Sequence, residues 1–128
     1  MTAISNSLVK ATVASIIQAR QRSGTGTSTF TGVDVSGLEG QCIAVLDVKF
    51  ESGTPTLDVK LQESDTLGGT YTDIVGGAFT QVGAADSFQV LKLDIANTKK
   101  YVRGSATAGG TSPVYAYNVT LTGMPKYA

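Results

Sequence analysis

The fold of this chain is decided by residues 56–64, which read TLDVKLQES. Leu57, Val59 and Leu61 alternate there with polar residues. Successive side chains of a strand point to opposite faces, so this spacing buries one face of the segment and leaves the other in water. The pattern therefore predicts an amphipathic β-strand and not a helix.

Glycine pairs and further alternating segments surround this strand on its C-terminal side. Gly68-Gly69 and Gly76-Gly77 frame a short segment, and Phe88-Gln89-Val90 begins another alternation. Alternating segments joined by glycine-rich turns are typical of antiparallel hairpins. Roughly eight short strands, with turns about every 8–12 residues, predict an all-β fold that is an antiparallel β-sandwich or barrel-like.

Several breaks in the pattern predict where strands end. We expect turns at 51–55, where Pro55 lacks a ladder N–H, and at the glycines of 108–111. Residues 88–95 change apolar phase, which indicates a β-bulge or a strand that is covered on both faces. The polar segment 20–32 reads as a mobile loop.

The N-terminal part divides from the rest at this predicted loop. Residues 8–19 fit either a helical face or a strand, and their β-branched residues favour a strand. We therefore expect residues 1–30 to form an extended arm with a strand and a flexible loop. Residues 31–128 are expected to form one β-sandwich domain.

Composition argues against an enzyme. The 128 residues include no His and one Cys, so the commonest general base and metal ligand is missing and a zinc site cannot be assembled. Neither the carboxylates nor the glycine-rich segments have the spacing of a calcium or phosphate loop. We expect no catalytic residues, no metal and no cofactor, and we expect Cys42 to be a buried apolar residue.

Charge is balanced over the whole chain but unevenly distributed along it. Lys10, Arg20 and Arg22 are the charged residues of the first 33, whereas all ten acids lie within residues 34–94. Either strand pairing brings the two signs together, or a basic end reaches an acidic surface of a neighbouring subunit. A net charge of zero argues against nucleic-acid binding. No apolar run is long enough to predict a membrane span.

Five short segments together resemble a known group of virion proteins. They are TLDVKLQESD (56–65), GTYTDI (69–74), GAFTQV (77–82), KYVR (100–103) and GGTSP (109–113). These strings are similar to small capsid decoration, or head-stabilising, proteins of tailed bacteriophages and prophages. The likeness extends over roughly residues 32–125 and implies no enzymatic activity.

The resemblance implies a protein that works by contact with other proteins. Its expected partners are the major capsid protein and other copies of itself, as a dimer or trimer, without nucleic acid or membrane. The expected location is the capsid exterior of the virion, after synthesis in the host cytoplasm. The candidate interface residues are Lys10, Arg20, Arg22, Tyr115 and Tyr117, since aromatics are enriched at interfaces.

Two other functions stay open on the sequence alone. β-Sandwiches commonly bind sugars on aromatic platforms, so a carbohydrate-binding or tail-associated adhesion module is one alternative. A coat subunit that assembles into a shell by itself is the other.

Overall fold

The computed structural model describes residues 12–125, which form seven antiparallel strands and a short 3-10 helix at Ile95–Asn97. The strands are β1 (Thr12–Ser23), β2 (Gly26–Thr29), β3 (Val33–Asp34), β4 (Leu38–Ser64), β5 (Thr72–Ala78), β6 (Ser87–Asp94) and β7 (Tyr101–Pro125). The prediction of an all-β antiparallel fold is confirmed, and the sheet is open and sandwich-like.

Two long strands build both layers of this sandwich. β4 and β7 pair with each other along almost their whole length, from Leu38 opposite Pro125 to Ser64 opposite Tyr101. In the first layer, residues 38–50 of β4 and 114–125 of β7 are flanked by β6 and β1. In the second layer, residues 56–64 of β4 and 101–109 of β7 are flanked by β5, β2 and β3.

The two predicted turns are bends, and the strands continue through them. Register shifts between Phe50 and Thr54 mark the bend of β4, and Gly53 there has φ +95°. Gly110 bends β7 at φ +83° and pairs with Pro55. Positive φ is the conformation that glycine adopts without steric cost, so these glycines turn both strands from one layer into the other without reversing the chain.

Inward side chains of both layers form one core. The alternation seen in the sequence is confirmed in β4, where Cys42, Leu46, Leu57 and Leu61 are fully buried. β7 contributes its inward side chains from both halves, namely Val102, Ala106, Tyr115, Tyr117, Val119 and Leu121. Burial of these apolar surfaces is the main force that holds the layers together.

The segment N-terminal to residue 30 is part of the sheet in the described residues. β1 pairs with β7 and places Ile16 and Ile17 in the core, so the expected division between arm and domain does not coincide with a break in the fold. The predicted loop at 20–32 contains the end of β1 and all of β2. All four residues of β2 are exposed, so its sequence has no apolar alternation from which a strand could be predicted.

β6 is regular in spite of its change of apolar phase. Eight consecutive residues, Ser87–Asp94, pair with β4 without a register shift, so the phase change is not a bulge. Within residues 12–125 no helix is long and apolar enough to cross a membrane.

Candidate interaction face

No group of three or more potential metal-ligating side chains lies together between residues 12 and 125. Cys42 is completely buried, and burial raises the pKa of its thiol. A cleft of about 380 Å³ at one end of the sandwich is lined mainly by apolar and backbone groups, with Glu39, Lys99 and Lys100 at its rim.

The outer surface of the second layer is a connected polar network. The Lys60 ammonium lies 3.0 Å from an Asp73 carboxylate oxygen, and the Gln62 amide donates to the other oxygen at 2.9 Å. These hydrogen bonds, first from Gln62 and then from Lys60, lower the pKa of Asp73. Arg103 donates to Gln62 at 2.9 Å and lies over the Tyr71 ring at 4.2 Å. Side chains of this layer already satisfy one another and face water.

The outer surface of the first layer has the opposite character. Val45 lies between Val90 of β6 and Thr120 of β7, and Ile43 lies opposite Thr122. We call this surface the apolar face; its residues are Val13, Ile43, Val45, Phe88, Val90, Thr120 and Thr122. The exposed fractions are 64% for Val13, 68% for Phe88 and 55% for Val90.

The apolar face crosses four strands, and charged residues border it, with Lys92 opposite Ile43 and Asp47 opposite Phe88. Neighbouring strands are about 4.8 Å apart and same-face residues about 6.8 Å apart, so the seven residues of the face cover roughly 200 Å². A contiguous apolar patch of a few hundred Å² marks an interaction site more often than scattered exposed residues do. The geometry suits contact with another protein surface.

The predicted interface residues occupy three different environments. Arg20 is exposed on β1 and lines a shallow depression with Asp47 and Asn118, at the border of the apolar face. Arg22 is turned into its own chain, where it donates to the carbonyl oxygens of Gln18 at 2.8 Å and Tyr117 at 3.2 Å. Lys10 lies outside the described residues.

The two predicted interface tyrosines are core residues. Tyr115 is 1% exposed, and its hydroxyl donates to the Gly83 carbonyl at 2.8 Å. Tyr117 is 6% exposed and packs under the Arg22 guanidinium at 4.7 Å. Burial raises the pKa of both phenols. Neither ring is available to a partner in this fold, because the inward phase of β7 points both of them at the other layer.

Sequence reasoning missed the residues of the apolar face, although a signal was present. Residues 42–46 read CIAVL, a continuous apolar run of the kind seen in strands that are covered on both faces. Phe88 and Val90 precede inward Leu91 and Leu93, which produces the phase change in β6. In both strands the outward apolar residues have no cover from the described part of the chain.

No family model matches this chain, and the search of curated proteins gave no match. Solved structures share its fold. The VP2 subviral particle of infectious bursal disease virus superimposes on 88% of this chain with a TM-score of 0.54 and 11% identity. T=1 particles derived from the same virus superimpose on 89% of this chain, with a TM-score of 0.58 and 14% identity. The PBSX exported protein XepA superimposes on 90% of this chain, with a TM-score of 0.55 and 12% identity.

This chain spans about a third of each of these proteins, namely 31%, 31% and 38% of their lengths. At such low identity the likeness is one of fold alone. The structures nevertheless show that two-layer β architectures of this kind occur as parts of larger proteins, two of them from viral particles.

Proposed function

We propose that this chain is a virion structural protein that binds the outer capsid of a tailed phage and stabilises or decorates the head. The observation that carries the proposal is the contrast between its two outer surfaces. The second layer presents a polar network with exposed Val75 at its β5 edge, whereas the first presents several adjacent Val, Ile and Phe side chains that no residue of 12–125 covers. A surface of this kind gains free energy when a protein partner removes it from water.

Three further points support this role. The sequence motifs resemble head-stabilising proteins, the fold is shared with parts of viral particle proteins, and residues 12–125 hold no group of three or more potential metal-ligating side chains. In the proposed complex the apolar face lies on the major capsid protein, and Arg20 at its border adds a charged contact. Rim charges of this type affect association rate and register more than affinity.

The carbohydrate-binding alternative has less support. Sugar platforms usually combine several open aromatic ring faces, but Arg103 covers Tyr71 at 4.2 Å and the Lys100 ammonium lies 5.4 Å from the centre of the Tyr101 ring. Phe88 is the one aromatic ring among residues 12–125 that is more than half exposed. The self-assembling coat alternative predicts large particles from the purified chain alone. The decoration proposal predicts small oligomers that bind a preformed head.

Co-sedimentation with heads assembled without this protein tests the proposal. Val13→Lys places a charge on the apolar face and is expected to weaken binding about tenfold, because a desolvated charge replaces an apolar contact. Thr29→Lys is the control, since Thr29 is exposed on β2 in the second layer. Equal loss from both variants, or no binding of the unaltered protein, would contradict the proposal.

A further inference from the structure

β6 differs from the other edge strands of the sandwich in being regular. β1 has register shifts around Ile17, and β5 has one opposite residues 60–62 together with positive φ at Gly76. β2 and β3 are four and two residues long. Bulges and shortness protect an edge from pairing with another chain. β6 has eight unshifted residues, and among residues 12–125 its ladder partner is β4 on one side.

The side chains of β6 point to the same conclusion. Inward Leu91 and Leu93 pack in or against the core, while outward Phe88 and Val90 stay more than half exposed. A strand that has apolar side chains on both faces and a backbone edge unpaired by the described residues is a template for another strand. We infer that β6 pairs antiparallel with β6 of a second copy of this chain, and that the first layers of the two copies join into one continuous sheet.

Chemistry selects one register for this dimer. Two registers align most of β6 while keeping inward residues opposite inward ones. Centring on Val90 puts Val90 opposite the partner's Val90 and Lys92 opposite the partner's Phe88, where the ammonium can lie on the ring. Centring on Leu91 puts the Asp94 carboxylate against the partner's Phe88 and is disfavoured. Asp94 is moreover engaged in its own chain, where it accepts from Ala96 N–H at 3.1 Å.

The contact also includes the second layer. A groove of about 330 Å³ between β5 and β6 is lined by Val75, Lys92 and Leu93, among others. Because Lys92 lies opposite the partner's Phe88 in the selected register, this groove lies beside the start of the partner's β6. An eight-residue edge is about 27 Å long and two layers are about 20 Å deep, which gives on the order of 500 Å² per partner. This is below the ~800 Å² of a standard interface, so we expect a dimer that dissociates at micromolar concentration.

Sedimentation equilibrium of the full chain, without capsid, tests the inference. The unaltered protein is expected to show a monomer–dimer equilibrium. Val90→Lys sets like charges opposite each other and should raise the dissociation constant about tenfold or more. Val13→Lys is the matched control, because Val13 lies on the same face at the opposite edge and is similarly exposed. Its dissociation constant should be unchanged.

Cross-linking fixes the register. Val90→Cys is expected to form a disulfide-linked dimer under mild oxidation, since directly opposite residues of an antiparallel pair have a Cα separation that a disulfide can span. The native Cys42 is buried, so the unaltered protein is expected to stay uncross-linked.

Monomers at all concentrations, a trimer, equal weakening by both lysine variants, or no cross-link at position 90 would each overturn the inference. This inference assigns a surface to the self-association that belongs to the proposed function. The sedimentation assay contains no phage head, so it tests self-association separately from head binding. A dimer that fails to bind heads would contradict the proposed function and leave this inference standing.

Discussion

At the scale of single residues, Gly104 sets the distance between the two layers. It lies in β7 of the second layer, and a Cβ at this position would lie 2.5 Å from Cγ1 of Ile17, which belongs to β1 of the first layer. Ile17 is completely buried. The core therefore has no room for a methyl group at this point unless the layers move apart.

Gly104→Ala is expected to lower the free energy of unfolding by about 1–3 kcal/mol, because overpacking a filled core forces side chains and backbone to shift. Chemical denaturation followed by circular dichroism measures the change. Gly68→Ala is the control, since a Cβ there would meet nothing within 4 Å. A Gly104 variant as stable as the Gly68 variant would show that the layers can separate at no cost.

The tyrosines show how far residue-level reasoning extends. Tyr115 and Tyr117 are two residues apart in a predicted strand, so they are expected to share a face, and the structure confirms it. Whether that face is core or interface depends on what lies opposite. The carbonyl oxygens of Val82 and Gly83 accept hydrogen bonds from the Tyr115 hydroxyl, and both residues are more than 30 positions away in sequence. The local sequence around Tyr115 does not show that these residues will lie opposite it.

At the scale of elements, β1 depends on Arg22. The strand has register shifts on both sides of Ile17, which leave backbone groups without regular ladder partners. The Arg22 guanidinium donates to the carbonyl oxygens of Gln18 and Arg20, at 2.8 and 3.2 Å, and lies over the Phe30 ring at 5.0 Å. One planar group thus holds the bulged end of the strand.

Arg22→Ala is expected to destabilise the protein by about 1–3 kcal/mol, since the carbonyl oxygens of Gln18, Arg20 and Tyr117 lose a charged donor and two rings lose a cation. Thermal unfolding with Arg20→Ala as the control separates this effect from loss of charge. Arg20 is exposed and, within the described part of the chain, its guanidinium has no hydrogen bond or ion pair. Equal melting temperatures for the two variants would contradict the structural role of Arg22.

The long strands also belong to this scale. Each half of β4 and β7 was predictable from its alternation, but the sequence indicated turns at residues 51–55 and 108–111. Glycine permits positive φ in a reversing turn and in a bend alike. The choice between them is made by the pairing of β4 with β7, which continues through the bends on both strands.

At the scale of the whole molecule, the shared strands make the two layers one cooperative unit. Neither layer can unfold alone while β4 and β7 remain paired, because both strands pass through both layers. We expect two-state unfolding, with the amides of Leu46 in the first layer and Leu61 in the second opening at the same free energy. Native-state hydrogen exchange measures this. A layer that opens well below the other would show that the bends uncouple them.

The sequence by itself determined the fold class, the inward positions of β4 and β7, and the burial of Cys42, because each depends on a local period of two and on side-chain hydrophobicity. The apolar face, the core position of Tyr115 and Tyr117, and the bends in the long strands were decided by the tertiary structure. Each of these depends on which segment lies opposite, and that is set by contacts between residues far apart along the chain.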